Sequence, residues 1–185
     1  AACVNRVNRH GGPDAQVAVW ARNDIDPIEY AELLNRIGNW YNTALLSAEM
    51  NNPSTTAHHL QLQLAYPNLF RMPNPASSTL LQSRYGWLTN EATKPSLYHT
   101  MRNRLESRFY VMRDKFTFEE LKTFQREINS TKTGASQGFH DDRIVASMIA
   151  LFSAHAMDWD EDSQSFMERT ALTLENAPYI FSCHK

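Results

Sequence analysis

Residues 24–49, DIDPIEYAELLNRIGNWYNTALLSAE, set an amphipathic helix directly against a short apolar run. Asp26 suits the N-cap, Pro27 the first helical position, and Glu29 the third position of a capping box. Tyr30, Leu33, Leu34, Ile37, Trp40 and Tyr41 then recur at helical spacing. TALLSAE is too short for a second helix. Its near-continuous apolarity predicts a strand covered on both faces, ending at the charge of Glu49. A strand buried on both faces needs packed elements on each side. This pair therefore constrains the chain to a layered α/β architecture.

The flanking segments extend that pattern. AACVNRV and QVAVWAR, joined by NRHGGPDA, predict a β-hairpin. TAHHLQLQLAY predicts a helix, and NLFR a brief strand. Residues 72–93 predict a long loop, KPSLYHTMRNRLES a helix, FTFEEL a helical turn and KTFQREI a strand. NSTKTGASQG is a glycine-containing loop. The helix of GFHDDRIVASMIA carries Ile144, Val145, Met148, Ile149, Leu151 and Phe152 on a strong apolar face. From Asp158 the composition turns acidic and polar. The expected organisation is one domain over residues 1–157 and an appended C-terminal tail over 158–185.

The bulk numbers exclude several classes. The chain has 185 residues, 42% of them hydrophobic, enough for one packed core. No apolar run reaches membrane-spanning length. The formal net charge of −2 gives no overall basic character for nucleic acid. Arg102, Arg104, Arg108, Arg113 and Lys115 cluster, and read as a solvated helix face. Cys3 and Cys183 form neither a disulfide framework nor a zinc motif, and a reducing setting is the default. No GxSxG elbow, Walker A loop or HExxH is present. Adjacent His58 and His59 make a poor chelate on a helix.

Two places combine acids with the end of a core element. Glu49 closes the predicted buried strand, where ligands gather in open α/β sheets. Asp141 and Asp142 open the last strongly apolar helix. An acid there can simply cap the helix. Alternatively, the pair and a third carboxylate can hold divalent metal, because magnesium and manganese take oxygen ligands and activate water at phosphodiesters. The residues alone leave both readings open.

The order of segments resembles a known family. VAVWARNDIDPIEYAELLNRIGNWYNTALLSAEMNN, YPNLF, GWLTNEATKPSLY, ELKTFQREI and GASQGFHDDRIVASMIA together look like the nuclease domain of phage large terminase subunits. The resemblance spans roughly residues 1 to 156, and YNTALLSAEMNN and GFHDDRIVASMIA are its most specific parts. It implies a ribonuclease H-like fold: a mixed β-sheet flanked by α-helices. It implies a two-metal endonuclease, using Mg2+ or Mn2+, that cuts double-stranded viral DNA during packaging. By motif, Glu49 matches the family's second acid, and Asp141 and Asp142 its third motif. His140 stands in the HDD position beside them. The implied partners are DNA, the terminase ATPase domain, the small terminase subunit and the portal. The implied location is the cytoplasm of an infected or lysogenic bacterial host.

One departure bears on activity. The family's first acid lies in a D-P-A/S-x-G stretch on its first strand, expected upstream of Ala1. The chain is therefore read as lacking that strand and the motor domain. Asp14, Asp24 and Asp26 do not substitute, Asp14 being read as part of the hairpin turn. The alternative function is a catalytically impaired remnant acting as a DNA-binding or assembly module. A plain α/β domain with a capped helix is the third reading. The loop at 72–93 and the segment at 129–139 are expected to flank the cleft and to move without DNA.

Overall fold

The predicted hairpin forms: β1 (Ala2–Arg6) pairs antiparallel with β2 (Asp14–Trp20), with a register shift between Val4 and Asn5. The computed structural model describes residues 1–8, 11–50, 55–72, 84–126, 133–135, 140–156 and 179–183. Helix α1 (Pro27–Trp40) starts where Asp26 caps it, the carboxylate accepting from the Ile28 N–H at 2.8 Å. Strand β3 (Leu45–Ala48) follows, buried at all four positions.

Helix α2 (Thr55–His58) continues into a π-helical turn, His59–Gln63. Two short strands, β4 (Arg71–Met72) and β5 (Arg84–Tyr85), pair antiparallel. The stretch expected to be one long loop thus returns to the fold at residue 84, and Trp87 is buried in the core. Residues 73–83 lie outside the described residues. Helix α3 (Lys94–Glu106), strand β6 (Tyr110–Val111) and helix α4 (Lys115–Thr123) come next. Helix α4 is longer than the single turn expected, because Asp114 caps it by accepting from the Thr117 N–H at 2.7 Å. Strands β7 (Phe124–Arg126) and β8 (Thr133–Ala135) form a second small hairpin within the segment read partly as loop. Helix α5 (Asp142–Ala156) and strand β9 (Tyr179–Cys183) complete the described elements.

The main sheet has the order β3-β9-β1-β2-β6. Strand β9 runs parallel to β3 and antiparallel to β1. This corrects the expectation of an appended tail for its last residues: Tyr179–Cys183 lie inside the sheet, between β3 and β1. The physical reason is the YIF apolar run, which gains two hydrogen-bonded neighbours and buries Phe181. The helix expected around Phe166 to Leu174 lies outside the described residues.

Strand alternation splits the core in two. Leu45 joins Trp87, Leu97, Met101, Ile144 and Met148 under α5. Leu46 and Ala48 join Ala2, Val4, Leu34 and Phe181 under α1. Helix α1 carries Gly38 where the Tyr66 hydroxyl crosses it to donate to the Ala44 carbonyl at 2.6 Å. A β-carbon on Gly38 would collide with that hydroxyl. Gly38→Ala is expected to cost about 1–3 kcal/mol, despite alanine's better helix propensity. A denaturant midpoint equal to or above the parent's would contradict this.

A polar network fixes α5 on the sheet. Gln16 donates to Ser147 Oγ at 3.1 Å and accepts from the Arg113 and Asp114 N–H groups at 3.0 and 2.8 Å. At the far end of α5, His155 Nε2 lies 2.8 Å from Oδ2 of buried Asp14. Arg104 Nη2 lies 2.6 Å from the His155 ring nitrogens. Arg104 therefore departs from the solvated face read for its cluster, because α3 and α5 pack together and turn it toward Asp14. Arg102 matches that reading, paired with Glu106 at an exposed position. Asp14 is the first residue of β2 and is buried, rather than lying in the turn.

Candidate active site

The direction of α5 brings the acids to one end of the sheet. Ser182 Oγ donates to the Ala146 carbonyl, so α5 crosses β9 there. Ser182 is in register with Ser47 of β3. Asp142 lies one helical turn before Ala146, about 6 Å along the axis. Glu49 lies two residues beyond Ser47, about 7 Å along the strand. The opposite end of α5 meets Asp14, at the end of the sheet where Arg6 pairs with Ala15 and Tyr179. Helix α5 thus begins where β3 ends.

Alternation also sets the face. Leu45 packs under α5, so Ser47 and Glu49 share that side of the strand. Glu49 is 9% exposed and continues β3 as a bridge to Trp87. The Trp87 N–H donates to the Ala48 carbonyl at 2.8 Å, and the Met50 N–H to the Trp87 carbonyl at 2.7 Å. Gly86, at φ 82°, allows this approach, since a β-carbon would strike the Ala48 carbonyl.

The cap of α5 comes from another helix. The N–H groups of Arg143 and Ile144 donate to Glu120 Oε2 at 2.8 and 2.9 Å. Arg143 Nη1 closes the arrangement on Glu120 Oε1 at 3.2 Å. These are the N–H groups that a capping Asp141 side chain would ordinarily take. Glu120, on α4, is 8% exposed. Glu120→Ala is expected to cost about 2–3 kcal/mol, since a buried and a partly buried donor lose a charged acceptor. Asp142→Asn is expected to cost less than Glu120→Ala, since it keeps the side chain's shape and leaves the Glu120 cap in place. Denaturant titrations of both variants check the order, and a reversed order would return the cap to the aspartates.

Asp141 and Asp142 are partly buried and His140 is exposed. Lys94 Nζ, at the start of α3, lies 3.9 Å from Asp141 Oδ2. Gly134 of β8 packs closely beside them: a β-carbon there would sit 3.3 Å from Asp141 Oδ2, tighter than ordinary contact, and 3.5 Å from Lys94 Nζ. An all-carboxylate donor set suits a hard divalent cation. The carboxylates share an end and a face of the sheet without closing into a ligand set: among the described residues no three His, Cys, Asp or Glu side chains group as a metal site.

Sequence reasoning missed Glu120 and Lys94. Neither has a local signature, since each acts on an element distant in the chain. Burial pushes the Cys3 thiol up to about 11, against hydrogen bonds from Ser147 and Gln16 that lower it, so it stays protonated near neutrality.

A mixed sheet flanked by helices, with acids at the end of β3 and the start of α5, is an α/β fold of ribonuclease H-like type. The chain is similar in structure to the large terminase nuclease from thermophilic phage G20c, with a TM-score of 0.56 at 15% identity. The match covers 82% of this chain and 81% of that one. At that identity the likeness is one of fold. No protein-family model matches the sequence, and no curated protein does. No described helix is long and apolar enough to cross a membrane.

Proposed function

We propose that the chain is a metal-dependent endonuclease domain of the phage terminase kind, hydrolysing phosphodiesters of double-stranded DNA. The observation that carries this is the placement of Glu49 and the Asp141/Asp142 pair at one end and on one face of the sheet, while Glu120 accepts the helix N–H groups. The fold likeness to a terminase nuclease supports it.

In this reading Glu49, Asp141 and Asp142 hold Mg2+ or Mn2+, with His140 at the rim. The bound ions supply water activation and charge stabilisation at the phosphate. The chain's own part is to hold its carboxylates on rigid elements. Glu49 is fixed by the bridge to Trp87, and the aspartates by the start of a buried helix. The site reads phosphate rather than bases, so weak sequence preference is expected. The ATPase domain, small subunit and portal are the partners proposed for the full assembly, in the cytoplasm of the bacterial host.

A second reading, a catalytically impaired DNA-binding or assembly module, is favoured by the open ligand set among the described residues. Plasmid nicking with manganese, run against a chelator control, separates the two. Manganese-dependent conversion of supercoiled to nicked plasmid supports the nuclease. Plasmid binding without conversion supports the module.

A further inference from the structure

We propose that the outer corner of the sheet, where β6 lies along β2, is a docking surface for an acidic segment of a partner protein, with apolar side chains set between its carboxylates. This surface is independent of the nuclease reading.

Alternation places it. Tyr110 and Met112 pack into the core under α5, so Phe109, Val111 and Arg113 lie toward the opposite face of the sheet. Arg6 of β1 pairs with Ala15 of β2, and Ala15 with Val111 of β6, so these three form one row across that face. The core under α1 covers the same face around Val4, Leu46 and Phe181, and contains none of Val17, Phe109 or Val111. Those three are 38%, 43% and 39% exposed, which makes an apolar patch beside the α1 layer. Strand β6 ends the strand order, so its outer edge is open to an added strand.

Charge chooses the occupant. Arg6, Arg108 and Arg113 ring the patch, all exposed, and none has an ion-pair partner among the described residues. A second copy of this face would set arginine against arginine, which disfavours self-pairing. DNA would meet the arginines but leave the apolar side chains without a match. The corner also lies at the Asp14 end of the sheet and on the face away from α5, far from Glu49 and the aspartates. An acidic segment with apolar residues satisfies both parts of the surface.

Arg108 gives a way to separate docking from folding. It holds the left-handed position after α3, at φ 61°, where the Arg108 N–H donates to the Leu105 carbonyl at 3.1 Å and the Phe109 N–H to the Arg104 carbonyl at 2.8 Å. Glycine is favoured at such a helix end. Arg108→Gly is therefore expected to hold or raise the melting temperature while removing a charge from the surface.

The test is titration of the full chain against short fluorescein-labelled peptides, read by anisotropy across a salt series. The probe alternates glutamate with valine; one control replaces glutamate by lysine, the other valine by serine. The probe is expected to bind at least about tenfold tighter than either control, and to weaken as salt rises. Phe109→Ser, Arg113→Ala and Arg108→Gly are each expected to weaken it about three- to tenfold. Melting temperatures check folding, and Arg108→Gly serves if Phe109→Ser does not fold. No saturable binding of the probe, equal binding of the lysine control, or parent-like binding by all folded variants would overturn the proposal. A dimer in light scattering that Phe109→Ser dissolves would assign the corner to a second copy instead. A DNA duplex that loses affinity in Arg113→Ala, with no binding of the probe, would assign it to nucleic acid. Either result overturns the acidic partner.

Discussion

Glu49→Ala is expected to lower manganese-dependent nicking by at least about a hundredfold. Losing a group that merely orients a metal ligand costs about 10–100-fold, so losing a ligand itself should cost no less. Glu49 is buried, so the metal-free melting temperature of the variant is measured beside its activity, and the loss of nicking should exceed any loss of folded protein. Manganese should raise the parent's melting temperature, by about 2.7 kcal/mol of stability at a hundredfold excess over Kd, and the variant's by much less. Asp141→Asn and Asp142→Asn, made singly, identify which of the two ligates, since the direct ligand should lose both activity and the manganese shift. Equal nicking by parent and Glu49→Ala would remove Glu49 from the chemistry and place the activity elsewhere.

Removing residues 179–185 is expected to abolish cooperative unfolding. Strand β9 is hydrogen-bonded along both edges, to β1 across Ala2–Arg6 and to β3 across Leu45–Ala48. Its loss opens two facing sheet edges in the interior, leaving backbone groups without partners. It also withdraws Phe181 from the α1 core and Ser182 from its bond to α5. Phe181→Ala alone should cost about 3–5 kcal/mol. That is a large part of the roughly 5–15 kcal/mol by which domains are stable. For a chain of this size it corresponds to a fall of about 6–20 °C in melting temperature. Circular dichroism melts of the truncated chain and of Phe181→Ala measure both. A truncated chain melting cooperatively at the parent's temperature would show that the sheet closes without β9.

Much of the fold was legible because it is written in local chemistry. Asp26, Pro27 and the apolar stripe after them specify α1 within a few turns of chain. The alternation of the first strands specifies the hairpin, and the apolar face of residues 142–156 specifies α5. What misled was context. The YIF run lies beyond an acidic, polar stretch, and nothing within it announces partners more than a hundred residues earlier. Arg104 looked like one of several surface arginines until α3 and α5 packed together beside Asp14.

The candidate site divides in the same way. The residue types, carboxylates at the end of an apolar strand and at the start of an apolar helix, were open to reading from the sequence. The choice between a helix cap and a ligand set was not. The structure answers for the cap, which Glu120 supplies to the α5 N–H groups from a separate helix. Taken alone, the sequence determined which segments are helix or strand and which side chains carry oxygen donors, because periodicity and capping act over a few residues. Only the tertiary structure decided that Glu49 and the aspartates share one end and one face of a sheet. Helix direction and strand register are set by contacts between segments far apart in the chain, and no short stretch encodes both partners.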